Sequence, residues 1–202
     1  MLPIHLLSRH VVKLKAYASI VPTCTEPTFF IYLSISMLCG LMLLSYPPRI
    51  QADQLTEYRL KTAFLYNFAT YTQWPKDDSS TFNLCIYGKN PFGDHLDRLL
   101  KKSIDKRYIQ VHFKTRPEEL NDCHLVFISR SAIQKLDTVL EALKNKPVLT
   151  VTDHPGAAKQ GVALNMNIQD GKIAFEANLH VARNAGLNFS SQLLRFASEV
   201  YQ

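Results

Sequence analysis

CHLVFISRSAIQKLDTVLEALKNKPVLTVTD, residues 123–153, reads as strand, helix, strand. Residues 123–129 are a short apolar run rich in β-branched and aromatic side chains, the composition of a strand covered on both faces. Residues 131–145 carry Ile133, Leu136, Val139, Leu140 and Leu143 at spacings of three and four, which marks an amphipathic helix. PVLTVTD, 147–153, is a second strand. Two strands joined by a helix cannot pair as a tight hairpin; they form a parallel crossover unit, which is right-handed in nearly all sheets.

The pattern repeats outward. FNLCIYG, 82–88, is another buried strand, a helical stretch runs from Pro91 and Gly93 to about Lys102, and YIQVHFK, 108–114, alternates as a strand. Before them, residues 54–73 form a helix, with Leu60, Ala63, Phe64, Asn67, Phe68 and Tyr71 at helical spacing and Asp53 as its N-cap. After residue 153, VALNMNI (162–168) and KIAFEAN (172–178) flank Gln169-Asp170-Gly171, a turn dipeptide of hairpin type. Leu193, Leu194, Ala197 and Val200 predict a closing helix from Phe189 to Tyr201. The fold class is α/β: a mostly parallel, doubly wound, Rossmann-like sheet flanked by helices, with a C-terminal β-hairpin and helix.

The chain divides into residues 1–52, an N-terminal export segment, and residues 53–202, one α/β domain. FFIYLSISMLCGLMLLSY, 29–46, carries no charge and follows Arg9, Lys13 and Lys15. A basic flank is retained in the cytoplasm while the apolar stretch enters the translocon, so the domain emerges on the far side of the membrane. Cleavage after Ala52 would release it without membrane insertion; eighteen apolar residues are also long enough to anchor it uncleaved. Cys39 follows Met37 and Leu38, not the small residues a lipid-anchoring signal needs.

The net charge of +6 does not argue for nucleic acid. It is four bases against one acid in residues 1–52 and nineteen against sixteen in the remainder, too mild for a phosphate-binding stripe. Arg98, Lys101, Lys102, Lys106 and Arg107 cluster without interleaved aromatics and read as a solvated face. Gly88-Lys89-Asn90-Pro91-Phe92-Gly93 stands between a strand and a helix, where α/β folds hold phosphate. Asp94 and His95 stand where a P-loop needs lysine and a hydroxyl residue, so the segment reads as a turn. Ser129, Ser131, Asp153 and His154 are strand-end candidates for nucleophilic catalysis, with nothing in the sequence to connect them. His95, His112, His124 and His180 lack zinc spacing. Neither a metal nor another cofactor is expected.

Cys24 and Cys39 fall in the leader, which leaves Cys85 and Cys123 in the exported domain. Both fall on strands that are neighbours in many doubly wound sheets, and an oxidising compartment would allow a bridge. Two buried free thiols are the alternative.

EYRLKTAFLYNFATYTQWP (57–75), FNLCIYGKNPFG (82–93), DCHLVFIS (122–129), PVLTVTD (147–153) and above all FEANLHVARNAGLNFSSQLLRFASEV (175–200) resemble the YfiR family of bacterial periplasmic proteins. The resemblance implies a non-enzymatic regulator, often a homodimer. Such proteins bind the periplasmic domain of an inner-membrane diguanylate cyclase, lower cyclic di-GMP and restrain biofilm formation. By position, Cys85 and Cys123 match the family's disulfide. Phe175, Glu176, Asn178, Ala185, Gly186, Leu187, Ser190 and Ser191 match its C-terminal motif and are the partner-binding candidates. A second cysteine pair found in members is absent from residues 53–202, and the leader is longer than usual. Part of the motif has a local reading: Gly186 can stop one helix, and Asn188 or Ser190 can cap the next. A periplasmic small-ligand-binding protein is the alternative, supported by the strand-end loops; a hydrolase using His154 or a strand-end serine ranks third.

Overall fold

The computed structural model describes residues 49–76 and 78–202, with side chains from Thr56 onward. The apolar stretch 29–46, the leader cysteines and the side chains around Ala52 lie outside the described residues. Among those described, no helix is long and apolar enough to cross a membrane.

Helix α1 spans Arg49–Thr70. It is helical from Arg49, so Asp53 lies within the helix and is not its cap. The short β1 (Thr72–Gln73) follows, then β2 (Thr81–Tyr87), β3 (Ser103–Ile104), β4 (Arg107–Lys114) and β5 (Leu125–Ile128). Helix α2 (Leu136–Ala142), β6 (Leu149–Thr152), β7 (Leu164–Gln169), β8 (Lys172–Asn178) and α3 (Leu179–Asn184) come next, and β9 (Asn188–Phe189), α4 (Ser191–Phe196) and β10 (Glu199–Tyr201) close the chain.

Eight strands form one mixed sheet in the order β10-β8-β7-β6-β5-β2-β4-β3. Pairing is parallel from β4 through β2, β5 and β6 to β7, and again between β8 and β10; β3 with β4 and β7 with β8 are antiparallel. Residues in register lie on one face, so a continuous apolar row crosses the sheet: Ile86, Phe127, Val151, Leu164 and Ala177. This row belongs to the larger core, which α1 completes with Tyr58, Leu65, Phe68 and Ala69. The alternate residues Cys85, Tyr87, Val126 and Ile128 face a second core built with Leu136 and Val139 of α2. Each large side chain so buried contributes about 1.5–3 kcal/mol. Burial on both faces explains why these strands read as unbroken apolar runs.

Three helical expectations need correction. The stretch after Pro91 is a 3-10 turn, Gly93–Arg98, and the segment 131–145 is a 3-10 turn, Arg130–Lys135, leading into the short α2. The closing helix expected over Phe189–Tyr201 is divided. Phe189 belongs to β9, which pairs with β1 at Thr72↔Phe189, and α4 stops at Phe196. Ser198 then gives its backbone N–H (2.8 Å) and its hydroxyl (2.9 Å) to the carbonyl of Phe175. The free edge of β8 thereby captures β10 as a parallel strand. Those edge groups would otherwise lack backbone partners, a gain that residues 198–201 could not obtain by continuing the helix.

Candidate functional site: an apolar groove beside the C-terminal motif

On α1 the periodic stripe of the sequence and the buried face differ. Tyr58, Lys61, Thr62, Leu65, Phe68 and Ala69 are buried, whereas Leu60 is 48 % exposed and Ala63 and Asn67 face solvent. Phe64, Asn67, Phe68 and Tyr71 form one wall of an open groove of about 390 Å³. Ile173 and Phe175 of β8 form its floor, and Gln192, Leu193 and Phe196 of α4 the opposite wall. Phe175 packs edge-on against Phe68 and Phe64, with ring centroids 5.0 and 6.2 Å apart. Gln192 donates from Nε2 to the Tyr71 hydroxyl at 3.2 Å, tying the two walls.

Phe196 stands at the rim, 68 % exposed. Ile168, 50 % exposed, pairs directly with Ile173 and, as a cross-strand neighbour on the same face, extends the apolar surface beyond the groove. Contiguous apolar surface of this kind is uncommon on a protein that meets only water.

Of the eight motif residues, Phe175 alone lines the groove. Glu176, on the other side of β8, accepts hydrogen bonds from the amides of Asn165 (3.1 Å) and Asn167 (3.3 Å). Asn178 caps α3 by accepting the Val181 N–H at 3.0 Å and donates to the Ala158 carbonyl at 2.9 Å. Ala185 ends that helix, and Gly186, at φ +73°, turns the chain in the left-handed conformation that closes it. Leu187 is fully buried. Ser190 caps α4 through the Leu193 N–H at 3.2 Å and gives its own N–H to the Tyr71 carbonyl at 2.9 Å. Ser191 opens α4 and is exposed. These contacts build the wall that presents Phe196. Ile173, Gln192 and Phe196 were not singled out from the sequence; an apolar stripe with nothing to cover it was the available signal.

A second polar assembly lies at the carboxyl end of β6. The buried Asp153 carboxylate takes the Lys61 ammonium at 2.5 Å and the Tyr58 hydroxyl at 2.8 Å, both on Oδ2. Glu57, one turn before Lys61, pairs with the same ammonium. Arg130 Nε lies 3.3 Å from Oδ1 and donates to the Asp153 backbone carbonyl at 3.2 Å. Burial, and then the adjoining Asp153 charge, push the Tyr58 hydroxyl well above the usual tyrosine range. The assembly anchors α1 to the sheet.

The catalytic candidates do not converge. Asp153 is committed to Lys61 and Tyr58, while Ser129 and Ser131 bond each other at 2.7 Å. His154 makes no side-chain hydrogen bond among the described residues. His112 and His124 do meet, at Asn83: His124 Nδ1 accepts the Asn83 N–H at 3.0 Å, and His112 Nε2 lies 3.3 Å from Oδ1. In the basic cluster the reading as a solvated face fails at Arg107, which is buried over the Phe82 ring at 5.4 Å. Lys102 lies over Tyr66 at 4.4 Å. Cys85 of β2 and Cys123, just before β5, are joined as a disulfide with Cα atoms 6.0 Å apart, closing a separation of 38 residues.

A family model described as YfiR/HmsC-like matches residues 58–198. The match takes in α1 from Tyr58, both cysteines, all eight motif residues and every residue of the groove. The chain therefore belongs to the YfiR/HmsC-like family.

Proposed function

We propose that this protein is a periplasmic, non-catalytic regulator that binds the periplasmic domain of an inner-membrane diguanylate cyclase and restrains its synthesis of cyclic di-GMP. Residues 1–52 act as the export segment and residues 53–202 as the working domain; cleavage after Ala52 would trim the first turn of α1. Family membership supports regulation of this signalling system. The observation that carries the binding role is the uncovered groove of Phe64, Phe68, Ile173, Phe175 and Phe196, which offers a partner an apolar, partly aromatic seat of the kind that concentrates binding energy. Self-association as a homodimer belongs to the same reading. So does a doubly wound sheet, supported by the strand order β4-β2-β5-β6-β7 and by cores on both faces.

A protein across the membrane from the nucleotide pool acts only through a partner that spans the bilayer. Its preference for the partner's inactive state sets the effect, and a tenfold bias needs about 1.4 kcal/mol of differential affinity. Deletion of the gene should raise cyclic di-GMP and surface attachment, and further deletion of the partner cyclase should abolish the rise. Unchanged nucleotide levels in the single deletion, or a rise that survives loss of every membrane cyclase with a periplasmic domain, would sink the reading.

A further inference from the structure

We propose that the carboxyl edge of the sheet holds a binding site for the carboxylate or phosphate group of a small organic anion, between the ends of β2, β4 and the loop after β5. The connections from β2 to β4 and from β4 to β5 lead to opposite sides of β2, which parts the loops and leaves a crevice at the strand ends. A cleft of about 360 Å³ occupies that place, lined by Tyr87, Lys89, Thr115, Ser131 and Lys135 among others. That volume suits a small metabolite.

The loop carrying Lys89 is locked in position. Gly88 has φ +97°, and a Cβ there would come within 2.8 Å of Ala132 Cβ and 2.9 Å of Ser131 Oγ. Only glycine permits this approach, and it brings the Lys89 N–H onto Ser131 Oγ at 2.9 Å. The turn at Gly88 therefore builds one side of the cleft as well as ending a strand.

The chemistry of the lining is that of a donor set. Lys89 and Lys135 are exposed at the cleft and make no ion pair with any described residue. The Tyr87 hydroxyl is buried without a hydrogen-bond partner, although Tyr87 is only 1 % exposed. Burial, with a smaller contribution from the Glu118 charge, raises its titration, so the hydroxyl keeps its proton and is a donor in need of an acceptor. An orphaned buried donor is destabilising unless something accepts from it. Two lysines and a tyrosine whose O–H is unmet line one cleft, and together they select an acceptor-rich anion over a neutral or cationic molecule. This inference stands apart from the cyclase reading and would survive its failure.

The test is an NMR titration of the full chain as the cell produces it, with inorganic phosphate in one arm, succinate in a second and neutral glycerol as control. Saturable amide shifts confined to the segments around Lys89, Ser131 and Lys135 are expected, and the responding arm identifies the anion. Lys89→Ala and Lys135→Ala should each weaken binding about tenfold or more, as loss of a charged hydrogen bond does. Tyr87→Phe should weaken it about fivefold while leaving the unliganded protein at least as stable as the parent. The proposal is overturned if neither anion gives saturable shifts, if glycerol does as well as they do, or if the double lysine variant or Tyr87→Phe binds like the parent.

Discussion

Lys61 Nζ lies 2.5 Å from the carboxylate of Asp153, and both side chains are fully buried. The pair joins the middle of α1 to the carboxyl end of β6, and Tyr58 and Glu57 add to it from the same helix. Its consequence is asymmetric, because two partnered buried charges are tolerated and one alone is not. Lys61→Ala should cost about 3–5 kcal/mol of unfolding free energy. The triple variant Lys61→Met, Asp153→Leu and Tyr58→Phe, which strands none of the three buried partners, should recover most of that loss. Urea unfolding of the two variants checks the pair; equal destabilisation by both would show that packing alone is at stake.

Tyr58 gives the assembly an alkaline signature. Its hydroxyl titrates above the ordinary value of 10.0 because burial and the Asp153 carboxylate oppose its ionisation. The folded state therefore holds the proton more tightly than the unfolded chain. The associated stability is complete below pH 10.0 and is lost as pH rises past it toward the folded value. Tyr58→Phe should lower stability near neutrality by about 1.5–3 kcal/mol, as for a hydrogen bond to a charged group. It should also flatten the decline above pH 10.0, read from urea midpoints on either side of that value.

The Cys85–Cys123 bridge closes a 38-residue separation, and chain entropy assigns such a closure about 4 kcal/mol. The double variant Cys85→Ala with Cys123→Ala should lose stability on that scale in guanidinium unfolding. Mass mapping of unreduced digests of the parent should recover the two cysteines in one linked fragment; separate fragments would contradict the bridge.

At the groove the proposed binding role and the folding role fall on different residues. Phe196 is mostly exposed, so Phe196→Asp should change stability by no more than about 0.5 kcal/mol. It should weaken binding to the periplasmic domain of the proposed cyclase partner by about 2 kcal/mol or more, the cost of losing an exposed aromatic anchor that the partner would cover. Phe175→Ala, in the floor and buried, should instead cost about 3–5 kcal/mol of stability. Unaltered partner binding by Phe196→Asp would place the interface elsewhere.

The sequence by itself determined strands at 82–88, 123–129 and 147–153, because a strand buried on both faces is apolar along its length, and at 108–114 by alternation; they form β2, β5, β6 and β4. It also determined the crossover between β5 and β6, which follows from helix-spaced residues lying between two such runs. Resemblance added the family, and the positions of Cys85 and Cys123 made their pairing conceivable. The tertiary structure decided what covers each surface. A helical stripe reports that one side of α1 is apolar, but only the packed sheet shows that Lys61 and Thr62 turn inward while Phe64 and Leu60 remain at the surface. Residues 198–201 carry a helix-compatible pattern and become β10 because the edge of β8 supplies partners more than twenty residues away in the chain. The groove is likewise shared by α1, β8 and α4, and the pairing of Lys61 with Asp153 spans 92 residues. Local pattern encodes the preference of each segment for burial; the identity of the neighbour that satisfies it, or its absence, is a property of the assembled chain.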